Sequence, residues 1–222
     1  MKKMMKMKKF SDRFKALDLP LHGVRLPSFD IDDESKRKIG VSESVSNFDF
    51  LSSLCSIGLG TIIGKKNKNY KKYKERLNYE LKTLEDLSFV DYILLVWNVI
   101  NFCKKEDIPT GLGRGSAAGS LVLFLIGVTG IDPIKHELYF ERFISKTRAK
   151  KKVVDGVTYL DGSLMCDIDL DICYYNRGKV IKYLEGQFQG RTAKILTLNT
   201  LSAKLLIKEC GKIVGEKPES EM

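Results

Sequence analysis

Hydrophobic and polar residues are arranged along the chain in blocks that predict several helices and a few short strands. Apolar residues recur at helical spacing over 70–87, and residues 91–105 are apolar nearly all round. We therefore expect an amphipathic helix followed by a buried one. The other predicted helices cover residues 42–57, 116–128, 133–144, 177–187 and 200–214.

Strand patterns are concentrated in the C-terminal half of the chain. Residues 151–159 have the pattern of a β-hairpin with Asp155-Gly156 at its turn. Further strands are expected at 165–172 and 193–198. This order predicts an α+β or α/β fold in which helices pack on a small sheet.

The N-terminal part of the chain has a weaker pattern. Residues 1–40 are polar and are broken by proline and glycine. They are expected to form an irregular arm with a short strand near 24–26. Residues 58–72, rich in glycine and then in lysine, are expected to be a flexible connector.

The segment 166–173 carries three aspartates at every second residue. In a strand, Asp167, Asp169 and Asp171 share one face, and the aliphatic residues between them share the other. Neighbouring carboxylates on such a face lie roughly 6–7 Å apart and repel each other unless a cation joins them. Magnesium takes oxygen ligands, so the segment predicts a metal site. The alternative is a solvated edge strand.

A glycine-rich turn at 111–120 is the second candidate site. Gly113 and Gly115 allow the backbone to approach a ligand closely, and Arg114 and Ser116 add a charge and a hydroxyl. The turn precedes a predicted helix, whose N-terminus has unpaired N–H donors. Together these features indicate a phosphate site, although a simple tight turn has the same sequence pattern.

Composition narrows the class of protein. The 222 residues carry a net charge of +10, which favours a polyanionic partner. The longest apolar run is far shorter than the roughly 20 residues that span a membrane, and the basic N-terminus lacks the apolar core of a signal peptide. Five scattered cysteines and two histidines argue against a zinc site or a disulfide framework. We expect a cytoplasmic protein that has no membrane partner.

Several motifs together resemble the palm region of the C-family replicative DNA polymerases, the family of the bacterial DNA polymerase III alpha subunit. They occur in the family's order over roughly 70–215. The motifs are YKERL at 73–77, Glu80-Leu81, GLGRGSAAGSLV at 111–122, Asp132-Pro133, FERF at 140–143, DIDLDIC at 167–173 and TLNTLSAK at 197–204.

The resemblance implies a polymerase-beta-like nucleotidyltransferase palm, an α+β fold with a small mixed sheet. It implies that Asp167 and Asp169 bind two magnesium ions, that Asp171 supports them, and that Gly115 and Ser116 contact the incoming triphosphate. Gly113 and Arg114 belong to the same turn. The residue before the first aspartate is Cys166, where the family usually has proline.

Basic residues beyond the turn are expected to contact phosphate or DNA. Arg142 and Arg148 match arginines of the family, and the root of the hairpin is rich in lysine. An ion pair for Arg142 and a solvated lysine cluster are the alternatives. The candidate contacts are Arg142, Arg148, Lys150, Lys151 and Lys152.

The family's site needs a third carboxylate that lies downstream of the acidic segment. We therefore expect a split or truncated polymerase that acts on a DNA primer-template with deoxynucleoside triphosphates and that needs another polypeptide. The expected division is a basic N-terminal segment at 1–69, a partial palm at 70–215 and a polar tail at 216–222.

Two rival hypotheses remain open. One is a non-catalytic DNA-binding or assembly module of a replication complex, supported by basic clusters at 2–9, 65–76 and 146–152, one of which is interleaved with Tyr70, Tyr73 and Tyr79. The other is a small nucleotidyltransferase with a different acceptor, whose third acid would be Asp132, Asp161 or Glu209.

Overall fold

The computed structural model describes residues 26, 28–145, 151–160, 166–194, 200 and 202–215. The chain forms two compact units, Met1–Ile181 and Lys182–Met222. The elements are α1 (Asp33–Ile39), α2 (Asn47–Gly58), a π-helical turn (Leu59–Ile63), α3 (Tyr70–Asp86), α4 (Val90–Lys105), a 3-10 helix (Gly115–Gly119), α5 (Leu121–Leu125), a 3-10 turn (Phe140–Arg142), β1 (Lys151–Val154), β2 (Val157–Leu160), a 3-10 turn (Tyr174–Asn176), α6 (Arg177–Gln187) and α7 (Ala203–Gly215).

The core of the first unit lies between α2, α3, α4 and α5. Helix α2 packs against α4 and α5, and α3 packs against α5. Phe50, Leu84, Ile93 and Leu121, one from each of these helices, are fully buried in one apolar cluster. The amphipathic pattern at 70–87 and the apolar pattern at 91–105 predicted α3 and α4, and both helices are confirmed.

The expectation of an irregular arm up to residue 40 is wrong for α1. The Asp32 side chain accepts a hydrogen bond from the Ser35 N–H, and Gly40 ends the helix with a left-handed backbone. No residue of α1 is buried. Local capping therefore defines this helix, which has no hydrophobic face for a periodicity argument to detect.

The expectation of a flexible connector beginning at residue 58 is also wrong for its first part. Helix α2 continues through the π-helical turn to Ile63. A Cβ atom placed on Gly58 would lie within van der Waals overlap of the Leu125 carbonyl oxygen. Gly58 is thus a packing glycine at a close helix contact.

The helix predicted at 116–128 is divided into two short pieces. The 3-10 helix ends at Gly119, and Ser120 begins α5 as its N-cap by accepting a hydrogen bond from the Leu123 N–H. The helical stretch expected at 133–144 is limited in the same way to turns and the 3-10 turn Phe140–Arg142.

The C-terminal elements agree with the sequence pattern in part. The hairpin is confirmed, with Val154 paired to Val157 across Asp155-Gly156, and α6 and α7 occupy the predicted helical ranges. Among the described residues, β1 and β2 form the only strand ladder, so a larger mixed sheet is not seen there.

Some expectations fall partly or wholly outside the described residues. These include most of the strand at 193–198, most of the range proposed for the strand near 24–26, and the tail at 216–222. The division of the chain at residues 69 and 215 stays a prediction.

Within the described part of the chain, no single helix is long and apolar enough to cross a membrane. Helices Tyr70–Asp86 and Val90–Lys105 meet that test only when joined, and they are bent by 112°.

Candidate functional site

The acidic segment lies extended on the surface of the helical core. Ile168 and Leu170 pack against the core, as the alternating pattern predicted, while Asp167 and Asp171 are exposed and Asp169 is half-buried. The strand expected here is not part of a ladder in the described residues. Its one pairing is an isolated antiparallel bridge between Ile172 and Thr110.

That bridge joins the acidic segment to the chain that enters the glycine-rich turn. The Gly111 N–H donates to the Asp171 carbonyl oxygen at 2.8 Å, and the Cys173 N–H donates to the Pro109 carbonyl oxygen at 3.1 Å. The two motifs that the sequence singled out are therefore neighbours in the fold.

Two glycines of the turn allow this close approach. A Cβ atom on Gly111 would lie 2.8 Å from the Asp171 Cβ, which real side chains do not tolerate. At Gly115 the backbone is left-handed, with φ of 67°, and a Cβ atom would lie 3.2 Å from Asp169 Oδ2. The glycine pattern thus reflects contact between the turn and the aspartates.

Arg114 pairs with two of the three aspartates. Its Nη2 lies 3.3 Å from Asp169 Oδ1, and its Nε lies 3.2 Å from Asp171 Oδ1. The guanidinium therefore supplies a cation where carboxylate repulsion predicted one. The Arg114 side chain is 61% exposed, so water screens both ion pairs and each is weak.

A buried ion pair between Arg76 and Glu80 contacts the C-terminal end of the glycine-rich turn. The sequence pattern had not predicted a role for this pair. Glu80 is fully buried and accepts hydrogen bonds from Arg76 Nε at 2.6 Å, Ser120 Oγ at 2.9 Å and the Val122 N–H at 3.1 Å. Burial raises the pKa of Glu80, and the N–H of Val122 and the charge of Arg76 oppose that shift. Ser120 is itself fully buried in this network.

Arg76 extends the same network to two other segments. Its Nη2 donates to the Gly119 carbonyl oxygen at 3.0 Å and to the Leu138 carbonyl oxygen at 3.3 Å, and its guanidinium lies 5.8 Å from the centre of the Phe140 ring. The spacing of Arg76 and Glu80, four residues apart on a helix, was the sequence signal for this pair.

Tyr92 of α4 lies beside the acidic segment, and Cys166 is the buried first residue of that segment. Burial raises the pKa of Tyr92 to about 12, against a hydrogen bond from the Ile168 backbone to its hydroxyl. Burial likewise raises the pKa of the Cys166 thiol to about 12. Both side chains are therefore neutral at physiological pH.

Among the described residues, no ion pair joins the remaining predicted contacts to the aspartates, and two of these contacts fall outside the described residues. Arg142 is exposed, and no ion pair links it to an acid within the described ranges. Lys152 is exposed on β1, the strand that also contains Lys151. Arg148 and Lys150 lie outside the described residues.

The acids considered as a third carboxylate have other partners or lie outside the description. Asp132 accepts a hydrogen bond from the Tyr73 hydroxyl at 2.6 Å and also caps Ile134 and Lys135. Glu209 pairs with Lys212 in the second unit. Asp161 is not described. Across the described ranges, no three acidic, histidine or cysteine side chains form a group suited to a metal.

The donor set fits magnesium in its chemistry. Asp167 and Asp169 offer carboxylate oxygens that water can reach, and hard divalent cations prefer such ligands. The Arg114 guanidinium already forms an ion pair with Asp169, so this carboxylate can be reached by a cation.

Comparison of the sequence with known proteins identifies the family of this chain. The profile of the family described as the bacterial DNA polymerase III alpha NTPase domain matches residues 49–221. The DNA polymerase III subunit alpha of Bacillus subtilis is 35% identical over 204 residues, which cover 91% of this chain and 16% of that protein. The proteins of the same name from Aquifex aeolicus and Ureaplasma parvum are 42% and 40% identical, over 67% and 78% of this chain.

The family match covers most of the chain and includes both the glycine-rich turn and the acidic segment. The chain belongs to the bacterial DNA polymerase III alpha NTPase domain family. It spans about one sixth of the length of the B. subtilis relative and 12% of the A. aeolicus one.

Proposed function

We propose that the acidic segment and the glycine-rich turn form the magnesium and triphosphate site of a replicative DNA polymerase, within a polymerase-beta-like palm. The observation that carries this proposal is the contact between the motifs. Gly115 approaches Asp169 so closely that a Cβ atom would lie 3.2 Å from its carboxylate. A triphosphate held by the turn would therefore lie beside the aspartates.

Each residue has a distinct part in this proposal. Asp167 and Asp169 hold magnesium, and Asp171 supports the segment through its backbone bond to Gly111. The Gly113–Ser116 turn and the Arg114 guanidinium receive the phosphates. In related two-metal sites, the ions activate the attacking hydroxyl and stabilise the leaving group.

The proposed reaction is templated addition of a deoxynucleotide to a DNA primer with release of pyrophosphate. The resemblance implies a third carboxylate, and the described residues bring no third acid to Asp167 and Asp169. We propose that another polypeptide or segment supplies it together with the surface that holds the base pair.

Primer extension tests this function. We expect the 222-residue chain alone to extend a primer weakly or not at all. We expect extension when a polypeptide carrying the third carboxylate is added. Asp167→Asn/Asp169→Asn should abolish that extension, whereas Glu106→Gln, at an exposed acid after α4, should retain it.

Two results would contradict parts of the proposal. Full extension by the chain alone would contradict the need for another polypeptide. Undiminished extension by the complemented Asp167→Asn/Asp169→Asn variant would contradict the assignment of the acidic segment to the reaction.

A second candidate is a non-catalytic DNA-binding or assembly module. It is favoured by a row of exposed lysines on the connector and the first turns of α3: Lys65, Lys66, Lys68, Lys71, Lys72 and Lys74. The proposed interleaving with tyrosines is weaker than the sequence suggested, because Tyr73 is buried against Asp132. Salt-sensitive DNA binding without magnesium-dependent triphosphate binding would identify this function.

A further inference from the structure

Two neighbouring tyrosines are almost entirely exposed directly after the acidic segment. Tyr174 is 84% exposed and Tyr175 is 91% exposed, whereas the next most exposed tyrosine of the described residues is Tyr139 at 69%. Tyrosine usually lies partly buried, so a pair this exposed marks a surface that can receive a partner.

The pair is held in a defined position. The Cys173 N–H donates to the Pro109 carbonyl oxygen, and the Asn176 N–H donates to the Cys173 carbonyl oxygen at 3.0 Å. The two rings meet edge to face, with centroids 5.8 Å apart and planes at 80°. The backbone of the pair is therefore fixed and the two rings pack against each other, which lowers the entropy cost of binding a partner.

Two cations that closely follow the pair in the chain indicate what that partner is. Arg177 and Lys179 begin α6 and are exposed, and the first turn of that helix has no acidic residue. Aromatic faces bind unpaired bases by stacking, and neighbouring cations bind the phosphates that link them. An apolar protein surface would gain nothing from those two cations.

We propose that Tyr174 and Tyr175, with Arg177 and Lys179, form a base-stacking surface for single-stranded DNA at the end of the acidic segment. This inference rests on the proposed polymerase function, since it places an unpaired stretch of template or primer beside the nucleotide site. It assigns to Tyr174 and Tyr175 a contact with the bases themselves.

Binding of a single-stranded oligonucleotide that contains 2-aminopurine tests the surface, because stacking quenches that base. We expect Tyr174→Ala/Tyr175→Ala to weaken binding at least about fivefold and to lose most of the quenching, as loss of one stacked base predicts. Tyr174→Phe/Tyr175→Phe keeps both ring faces and should bind within about twofold of the unchanged chain. Tyr139→Ala is the matched control and should have no effect.

Leucine variants distinguish stacking from simple apolar contact. Tyr174→Leu/Tyr175→Leu should lose quenching like the alanine pair. Quenching that survives the leucine change, or alanine variants that bind like Tyr139→Ala, would overturn the proposal and point to a protein partner for this face. Loss of binding by the phenylalanine pair would overturn it too, because the hydroxyls would then make the contact.

Oligonucleotide quenching and triphosphate binding, both measured on the same variants, separate this inference from the proposed function. Asp167→Asn/Asp169→Asn should remove magnesium-dependent triphosphate binding and leave oligonucleotide quenching intact. The tyrosine variants should do the opposite. If the aspartate variant keeps triphosphate binding while the tyrosine variants lose quenching, the base-stacking surface is supported and the proposed nucleotide site is contradicted.

Discussion

Arg114 lies where the three aspartates were expected to need a cation. Its guanidinium contacts both Asp169 and Asp171, and it belongs to the turn proposed to receive phosphates. Because the side chain is largely exposed, each contact is weak and easily exchanged. We infer that Arg114 competes with a divalent ion for Asp169 when no triphosphate is bound.

Arg114→Gln tests this competition. We expect manganese, used as a spectroscopic substitute for magnesium, to bind several-fold more tightly to the variant in the absence of nucleotide, since a competing positive charge is removed. Triphosphate binding should weaken for the same reason. Electron paramagnetic resonance of free manganese measures the first effect and calorimetry the second.

Arg37→Gln is the matched control for that change. Arg37 is exposed on α1, so the substitution alters net charge equally without reaching the site. If Arg114→Gln binds manganese no more tightly than Arg37→Gln does, the guanidinium does not compete for Asp169.

Gly115→Ala tests the close approach of the turn to Asp169. The left-handed backbone disfavours alanine by about 1–2 kcal/mol, and the added methyl group would push against Asp169 Oδ2. We expect triphosphate binding to fall about tenfold or more, which corresponds to at least 1.4 kcal/mol. Calorimetric titration with a deoxynucleoside triphosphate and magnesium measures the loss.

Gly178→Ala provides the comparison, because a Cβ atom there meets nothing within 4 Å. This variant should bind triphosphate normally. Equal affinities for Gly115→Ala and Gly178→Ala would show that the turn does not need its close contact with the aspartate.

For the candidate site, the sequence pattern predicted which side chains of the acidic segment face the core but not which residues pair with its aspartates. Alternation at 167–171 predicted that Ile168 and Leu170 would face the core, because a period of two follows from backbone geometry alone. The pairing of Arg114 with Asp169 and Asp171 was not predicted. It depends on the bridge between Thr110 and Ile172, a contact between distant parts of the chain that no local pattern encodes.

Helix α3 connects the packed core to the glycine-rich turn through Glu80. The Glu80 carboxylate accepts hydrogen bonds from Arg76, from Ser120 and from a backbone N–H in the first turn of α5. Arg76 also donates a hydrogen bond to the carbonyl oxygen at the end of the 3-10 helix. The N-terminal end of the turn is therefore hydrogen-bonded to the acidic segment, and its C-terminal end is hydrogen-bonded to a buried ion pair. We infer that α3 fixes the C-terminal end of the turn.

Glu80→Ala should strongly destabilise the first unit. Removal of one partner leaves Arg76 poorly compensated and Ser120 without its acceptor, which typically costs about 3–5 kcal/mol. Urea unfolding followed by circular dichroism measures this loss. Glu75→Ala, on the exposed side of the same helix and 3.9 Å from Lys71, should cost less than about 1 kcal/mol. Similar losses for the two variants would show that the buried pair has no structural role.

Prediction of the elements succeeded where an apolar face defines the helix and failed where local contacts define it. Helices α3 and α4 each bury a continuous apolar surface, and periodicity detects such a surface. Helix α1 has no fully buried residue and depends on its Asp32 and Gly40 caps. The break at Gly119 depends on tertiary contact, because a Cβ atom there would lie 2.6 Å from the Tyr139 carbonyl oxygen.

The whole chain combines a helical core, a strongly positive charge and one acidic surface segment. Its net charge of +10 favours contact with a polyanion, whereas the aspartates of the acidic segment favour a divalent cation. The proposed polymerase function would account for both preferences at once, since a polymerase binds DNA, a triphosphate and metal ions together. A module that only binds DNA would need the positive surface without the aspartates.

Calorimetric titration of the chain with a deoxynucleoside triphosphate, with and without magnesium, tests most directly whether the acidic segment and glycine-rich turn form one nucleotide site. We predict binding that requires magnesium, is lost in Asp167→Asn/Asp169→Asn and is retained in Glu106→Gln. Binding that does not depend on magnesium, or that persists in the aspartate variant, would contradict the proposed site.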